Sequence, residues 1–361
     1  MISLIISFFT SFILSFLILR YKHLHAHLSF DYDKKSVQKF HSFDVPRIGG
    51  LSIFLGILIS FSSQFIQNSS YLNTGFIIIL SSLPIFILGL IEDITKKVRP
   101  LYRLFAAGFS AFLACFFLNI WLTNIQFINI DLLLKIAPIS ILFTCFSVAG
   151  VTHSFNLIDG FHGIASMIGI FILSAITYIS LEVSDPSITI LAISVIGSIL
   201  GFFVWNYPKG LIFLGDSGAY LIGFWIAILS LLLVNHHPEV SNWFPLLICF
   251  YPIFETLFTV SRRVFTKKSH PGLPDSFHLH QLIFKRVIRW TPITSYEKNK
   301  KNSMVAPYLW LLSLISIIPA LLFWKYHQTL KIFAFIFSVC YLWLYFNIIR
   351  FKTPKFMIKR K

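Results

Sequence analysis

The sequence predicts an all-α polytopic integral membrane protein with about 11 transmembrane helices, its N-terminus outside and its C-terminus in the cytoplasm. Three observations carry that prediction. Charged residues make up only 12% of the chain and hydrophobic ones 56%, whereas a soluble domain carries roughly 25% charge. Apolar runs recur along the whole length, each near the ~20 residues a helix needs to cross a hydrocarbon core about 30 Å thick. Of the 30 Lys and Arg, 27 alternate onto one side, and only Lys135, Lys325 and Lys331 fall near the other. Basic loops mark the cytoplasmic side, which orients the whole arrangement.

Apolar runs bounded by charge or by Gly, Pro and Asn place the spans near 2–19, 48–66, 74–91, 101–121, 134–152, 164–181, 187–204, 217–234, 242–260, 306–324 and 330–349. An odd number puts the two chain ends on opposite sides. The first run has no basic leader and no small-residue cleavage site, and Arg20 and Lys22 follow it, so it reads as a retained span. Residues 1–361 form one multispanning domain, with a large basic cytoplasmic loop at 261–305. Within that loop, 282–290 is patterned like an interfacial helix. The net charge of +16 is dispersed beside apolar runs, which argues against nucleic acid as a partner. Cys115, Cys145, Cys249 and Cys340 stand singly, without the spacing of a zinc site or a disulfide framework.

Against this apolar background, polar residues gather in five places, all predicted to be cytoplasmic. The first loop brings Lys39, His41, Asp44 and Arg47 to the membrane surface, where Lys39 and Arg47 either hold phosphate or snorkel at the interface. His23, His25 and His27 alternate in the same loop, but no carboxylate accompanies them at ligand spacing. Glu92 and Asp93 close a span, followed by Lys96, Lys97 and Arg99. Adjacent carboxylates repel, so a cation or metal is expected beside them, unless Lys96 and Lys97 neutralise an ordinary charged loop.

The chain is organised around 153–163, where a long apolar sequence offers His153, Asn156, Asp159 and His162 with Gly160 and Gly163. Asn156 and Asp159 share a face at a helix end, and the glycines let backbone approach a ligand closely. A carboxylate at a membrane boundary is expensive unless used, although both residues also suit a capped turn. Asp216, flanked by Gly215 and Gly218, just precedes another apolar run. It is a candidate ligand for Mg²⁺, which takes one or two carboxylates and completes its shell with phosphate oxygens and water, or else a helix N-cap. Glu255, about two turns before Arg262, reads as a structural ion pair with the basic cluster that begins there. Beyond Asp275, His278 and His280 alternate as in an extended segment, with both rings on one side, suited to donate to phosphate or sugar.

Five of these stretches, Pro-Arg-Ile-Gly-Gly, Gly-Leu-Ile-Glu-Asp, Asn-Leu-Ile-Asp-Gly, Phe-Leu-Gly-Asp-Ser-Gly and His-Leu-His-Gln, occur in that order between 38 and 289. In them the chain resembles the polyprenyl-phosphate N-acetylhexosamine-1-phosphate transferases (glycosyltransferase family 4, WecA/MraY type), and most of all the bacterial WecA-like branch. The resemblance implies transfer of a sugar 1-phosphate, N-acetylglucosamine 1-phosphate by default, from a UDP-sugar to the membrane lipid undecaprenyl phosphate. UMP would leave at the cytoplasmic face of the bacterial inner membrane, with Mg²⁺ or Mn²⁺ as cofactor and a homodimer as a candidate assembly. Such a step would initiate a cell-envelope polysaccharide such as O-antigen of lipopolysaccharide.

Carried over by position, Asp216 matches the metal ligand and Asp93 the acid proposed to activate the lipid phosphate, with Glu92 and Asp159 as further catalytic carboxylates. Lys39, Arg47, Lys96, Asn156, His278 and His280 take substrate-binding roles. The chain departs from the family pattern at Glu92, where Asp is usual, at His162, often Asp, and at Gln281, often His. The last two departures leave the sugar open to a 6-deoxy-N-acetylhexosamine. A nonenzymatic lipid carrier is the rival class, and it would move lipid without forming UMP.

Overall fold

The computed structural model describes residues 1–29, 45–64, 71–267, 277–288 and 298–350, and all regular elements among them are helices. In chain order they are α1 (Ile2–Arg20), α2 (Lys22–Ser29), α3 (Gly49–Gln64), α4 (Tyr71–Thr95), α5 (Pro100–Leu118), α6 (Ile128–Leu134), α7 (Ala137–Ile158) and α8 (Ile164–Glu182). There follow α9 (Pro186–Asn206), α10 (Gly215–His236), α11 (Trp243–Ile248), α12 (Phe250–Arg262), α13 (Leu279–Ile283), α14 (Lys298–Ser303), α15 (Ala306–Leu322) and α16 (His327–Ile349). Short π-helical stretches, Arg263–Lys267 and Phe284–Ile288, extend α12 and α13.

Among the described residues nine helices are long and apolar enough to cross a membrane, and they match nine of the eleven expected runs. The other two runs differ in kind. The one at 48–66 is α3, whose 16 residues rise only ~24 Å. The run at 242–260 is broken at Cys249 into α11 and α12. Pro252 explains the break: it has no N–H to give the Ile248 carbonyl, and its ring crowds that oxygen. Of the 282–290 stretch, residues 282–288 are described, and their apolar side chains are covered. Leu282, Ile283 and Ile288 are buried, and Arg286 donates to the Ile348 and Ile349 carbonyls at the end of α16.

The bundle is built around α10, apolar on every side as a fully enclosed helix must be. Each residue from Gly215 to Leu233 is buried. Helices α3, α4, α7 and α8 pack against it. Outside them, α1 lies on α3 and α9 through Ser3, Ser7, Ser11 and Ser15, one buried serine every fourth residue. Small residues let backbones approach, which is how helices associate where lipid removes the hydrophobic driving force. Gly197 and Gly201 of α9 meet the α1 backbone so closely that a Cβ would fall 2.5 Å from the Leu4 carbonyl and 2.3 Å from that of Phe8.

Candidate active site

Three helix ends meet at one end of the bundle: the start of α3, the end of α4 and the start of α10. Gly50, Gly89 and Gly218 make the approach possible, since a Cβ on Gly50 would lie 2.3 Å from the Gly218 nitrogen and one on Gly89 2.7 Å from Ser217 Cα. The chain before α3 is tied to the chain before α10 by backbone bonds, Phe213 N–H to Pro46 O (2.9 Å), Gly49 N–H to Phe213 O (3.0 Å) and Gly50 N–H to Leu214 O (2.9 Å). Gly215 turns into α10 with φ +75°, and a Cβ there would strike the Arg47 carbonyl and the Asp93 carboxylate.

Asp93, 1% exposed, receives hydrogen bonds from the Asp216 N–H (2.7 Å), the Ser217 N–H (3.0 Å) and the Ser217 hydroxyl (2.7 Å). Its carboxylate therefore caps α10 from another helix and complements the positive end of that helix's dipole. The capping alternative considered for Asp216 is thus filled by Asp93. Asp216 instead sits in the first turn of α10 and faces two guanidiniums, Arg47 at 3.4 Å and Arg103 in closer contact. Arg47 also lies 4.0 Å from Asp93, and Arg103 lies 3.9 Å from Glu92. Glu92 accepts from the Val98 N–H (2.8 Å), which folds the 96–98 turn back on α4.

Asp159 is the C-cap of α7 and feels the charges of both Asp216 and Arg47. Burial, then the negative charge of Asp216, raises its pKa to about 7 against the opposing pull of Arg47. Asn156 lies one turn earlier, half-buried on α7. Among the described residues this group holds four carboxylates and two guanidiniums, an anionic excess that a cation would offset. Among the described residues no three His, Cys, Asp or Glu gather as a ready-made metal cage. A single carboxylate such as Asp216 suits Mg²⁺, which relies on substrate phosphates and water for its other ligands.

Side chains approach both glycines of the central motif. Gly160 is covered by the His280 ring, with a Cβ position 2.5 Å from Nε2, and Gly163, at φ +76°, is covered by Tyr207. The Gly163 N–H donates to Asn206 Oδ1 (2.8 Å), whose amide donates to the Ile212 carbonyl (2.8 Å), and Trp310 Nε1 donates to the Gly163 carbonyl (3.0 Å). His162 is buried over Gly210 and tilted against Phe213.

His278 and His280 do share a side, with rings stacked at 5.3 Å and 5°. They face inward, however. His278 Nδ1 lies 3.3 Å from both Glu255 and the Thr259 hydroxyl, and Glu255 also accepts from the Leu279 N–H and the Tyr341 hydroxyl. The carboxylate assigned to Arg262 thus anchors the histidine segment. Lys96, in the left-handed region at φ 55°, is exposed beyond the end of α4. Lys39, His41, Asp44 and Asp275 lie outside the described residues.

The match to known proteins follows this arrangement. Residues 75–234 match the model of glycosyl transferase family 4, from early α4 to the end of α10. Over 254 residues the chain is 31% identical to a probable undecaprenyl-phosphate N-acetylglucosaminyl 1-phosphate transferase of Bacillus subtilis (strain 168), covering 69% of this chain and 68% of that protein. The chain belongs to glycosyl transferase family 4. It is also 29% identical to the undecaprenyl-phosphate alpha-N-acetylglucosaminyl 1-phosphate transferase of Thermotoga maritima, over 72% of this chain and 74% of that one. A phospho-N-acetylmuramoyl-pentapeptide-transferase of Streptococcus sanguinis is 30% identical over 69% of this chain and 72% of its own.

The segment matching this glycosyl transferase family holds Glu92, Asp93, Asn156, Asp159 and Asp216, and also Arg103, which the motif reading passed over. Arg103 reads in sequence as one more cation after a membrane boundary. Its partner Asp216 lies 113 positions away, so no local pattern could have found it.

Proposed function

We propose that this protein transfers N-acetylglucosamine 1-phosphate from a UDP-sugar to undecaprenyl phosphate, releasing UMP. The reading is carried by the convergence of Glu92, Asp93, Asp159 and Asp216 with Arg47 and Arg103, anionic and guanidinium groups drawn from five segments to one bundle end. The names of the Bacillus and Thermotoga relatives support the acceptor and the sugar. The basic loops support a cytoplasmic site in a bacterial inner membrane, in an eleven-span topology with the N-terminus outside, where α11 and α12 together make one broken span. The product would begin a cell-envelope polysaccharide such as O-antigen.

In this transfer an acceptor phosphate oxygen attacks the sugar-linked phosphorus, a new P–O bond forms, and the bond to UMP breaks. Positioning and charge neutralisation dominate such chemistry. Arg47 and Arg103 present planar forks that suit pyrophosphate oxygens. Asp159, with its pKa about 7, is matched to take the acceptor's remaining phosphate proton near neutral pH. Asp93 acts by holding the first turn of α10, and with it Asp216, in place; its oxygens are occupied by donors that a nucleophile would have to shed. Mg²⁺ held by Asp216 would neutralise the pyrophosphate and the departing UMP.

The test is a substrate panel: purified protein, Mg²⁺ and undecaprenyl phosphate with UDP-N-acetylglucosamine, a UDP-6-deoxy-N-acetylhexosamine or UDP-N-acetylmuramoyl-pentapeptide. The expected result is UMP and a polyprenyl pyrophosphate sugar in the first lane. The third lane is there because the Streptococcus relative matches over as much of the chain. Lipid movement without UMP in any lane would instead identify a carrier.

A further inference from the structure

Both carboxylate oxygens of Asp216 are occupied. Arg47 Nη2 donates to Oδ1 at 3.4 Å, and Arg103 Nη1 donates to Oδ2 in closer contact. The two cations come from separate elements, Arg47 from the segment before α3 and Arg103 from the start of α5. The clamp is nearly dry, with the Asp216 side chain 12% exposed and that of Arg103 14%, against 25% for Arg47. Mg²⁺ needs such an oxygen at about 2.1 Å, which sets it beside both guanidiniums. Like charges repel there through a medium less polar than water. The carboxylate that suits the metal is therefore closed to it while both arginines stay in place.

Arg103 is not fully satisfied by this pairing. Its Nε is buried and has no hydrogen-bond acceptor among the described residues. Buried N–H groups are nearly always paired, so this donor is short of an acceptor. Guanidinium N–H groups on one edge take a phosphate as a bidentate pair. A pyrophosphate supplies oxygens for both arginine forks and, on the same group, ligands that complete the shell of Mg²⁺. Glu92, 3.9 Å from Arg103 Nη1, keeps a second carboxylate in reach when the first is released. We propose that Arg103 and Arg47 form a latch over Asp216, closing it to metal until a nucleotide pyrophosphate draws the guanidiniums onto its own oxygens. Metal and nucleotide then bind together, each raising the affinity of the other by the same factor. The latch rests on the reading above, in which Asp216 holds the metal and a UDP-sugar is the donor. It gives Arg103 a task that a fixed phosphate ligand does not have, which is to compete with the metal.

The test measures binding, with no acceptor lipid present. Mn²⁺ is titrated into purified protein and followed by electron paramagnetic resonance, with and without UDP, the part common to every donor in the panel above. The Mn²⁺–UDP complex formed without protein is subtracted. In wild type UDP should tighten Mn²⁺ binding at least tenfold. Arg103→Gln should bind Mn²⁺ alone at least tenfold more tightly than wild type and lose most of the coupling to UDP. Lys97→Gln removes an exposed cation just past the end of α4 and should leave both quantities within twofold. Equal Mn²⁺ affinity with and without UDP in wild type overturns the latch. So does an Arg103→Gln protein that gains no more Mn²⁺ affinity than Lys97→Gln, or that keeps the wild-type coupling. Should Arg103→Gln not fold, Arg47→Gln, at the more exposed of the two positions, is held to the same expectation. Failure of the transfer reaction shows separately, as the absence of UMP from every lane of the substrate panel.

Discussion

At one end of the bundle Asp93, Asp159 and Asp216 crowd around Arg47 and Arg103; at the other, Asp185 caps α9 through the Ile188 N–H (3.0 Å) and lies 3.1 Å from His237 and 3.6 Å from His236. His237 in turn lies 3.6 Å from Glu239, and Lys331 donates to the Gln126 carbonyl and sits over Phe127 and Trp243. Both ends are rich in charge. At the far end each group closes a local turn or clasps a neighbouring helix, as structural charges do. At the near end carboxylates outnumber cations among the described residues and repel one another across a glycine-lined junction. That mutual repulsion, rather than charge density, marks the site.

The comparison breaks most sharply at Asp216. Asp216→Asn preserves size, leaves one of the two guanidiniums without its acceptor and removes the charge a hard divalent cation needs. A metal contributes several kcal/mol to the transition state and each 1.36 kcal/mol is tenfold, so UMP release should fall about a hundredfold or more at unchanged protein abundance. Near-parent turnover would remove Asp216 from the chemistry.

Asp93→Asn separates positioning from direct catalysis. An amide can accept at only one of its two heads, so at least one of the three donors from Asp216 and Ser217 loses its partner. A lost hydrogen bond to a buried charged group is worth about 1.5–3 kcal/mol, and thermal unfolding in detergent should drop accordingly alongside kcat. A variant with unaltered melting and abolished turnover would instead make Asp93 a reacting group.

The spans were legible because hydropathy and loop charge act locally, and so was the gathering of Glu92, Asp93, Asn156, Asp159 and Asp216 at one end. What sequence hid was the direction in which side chains face. Gly160 and Gly163 look like openings for a ligand, yet they receive His280 and Tyr207. Asp216 looks like the cap of its own helix, yet Asp93 does the capping from α4. Glu255 has a basic neighbour in sequence, but its hydrogen bonds with His278 and Tyr341 depend on how α12, α13 and α16 pack. Each of these is a tertiary contact between residues with unremarkable local settings.

A pH series sharpens the contrast through the histidine segment. Burial, reinforced by the neighbouring His278, lowers the His280 pKa to about 3, against ~6.5 when unfolded. The unfolded chain therefore takes up the proton first. Stability from neutral His280 is whole above pH 6.5 and declines as pH falls below it, by up to about 2 kcal/mol at pH 5. His280→Gln should lose less melting temperature than wild type between pH 7.5 and 5. Parallel curves would show that His280 is not held neutral.

The smallest effect is expected at the far end, from Asp185→Asn. Asn caps a helix about as well as Asp, so the bond from Ile188 should survive while the pairing with His236 and His237 weakens. Such partly solvated pairs contribute roughly 0–1 kcal/mol. Although burial opposes ionisation, hydrogen bonds from His236, Ile188 and His237 hold the Asp185 carboxyl well below the usual carboxylate range. Its depressed pKa means that the contribution is present above pH ~4 and is lost as pH falls further through the folded value. At pH 7 the variant should therefore melt within a few degrees of wild type and release UMP at the parental rate, and the two melting curves should converge on acidification below pH 4. A hundredfold loss of turnover in Asp185→Asn, equal to that expected at Asp216, would mean that the two ends are coupled and that charge at the far end serves the chemistry after all.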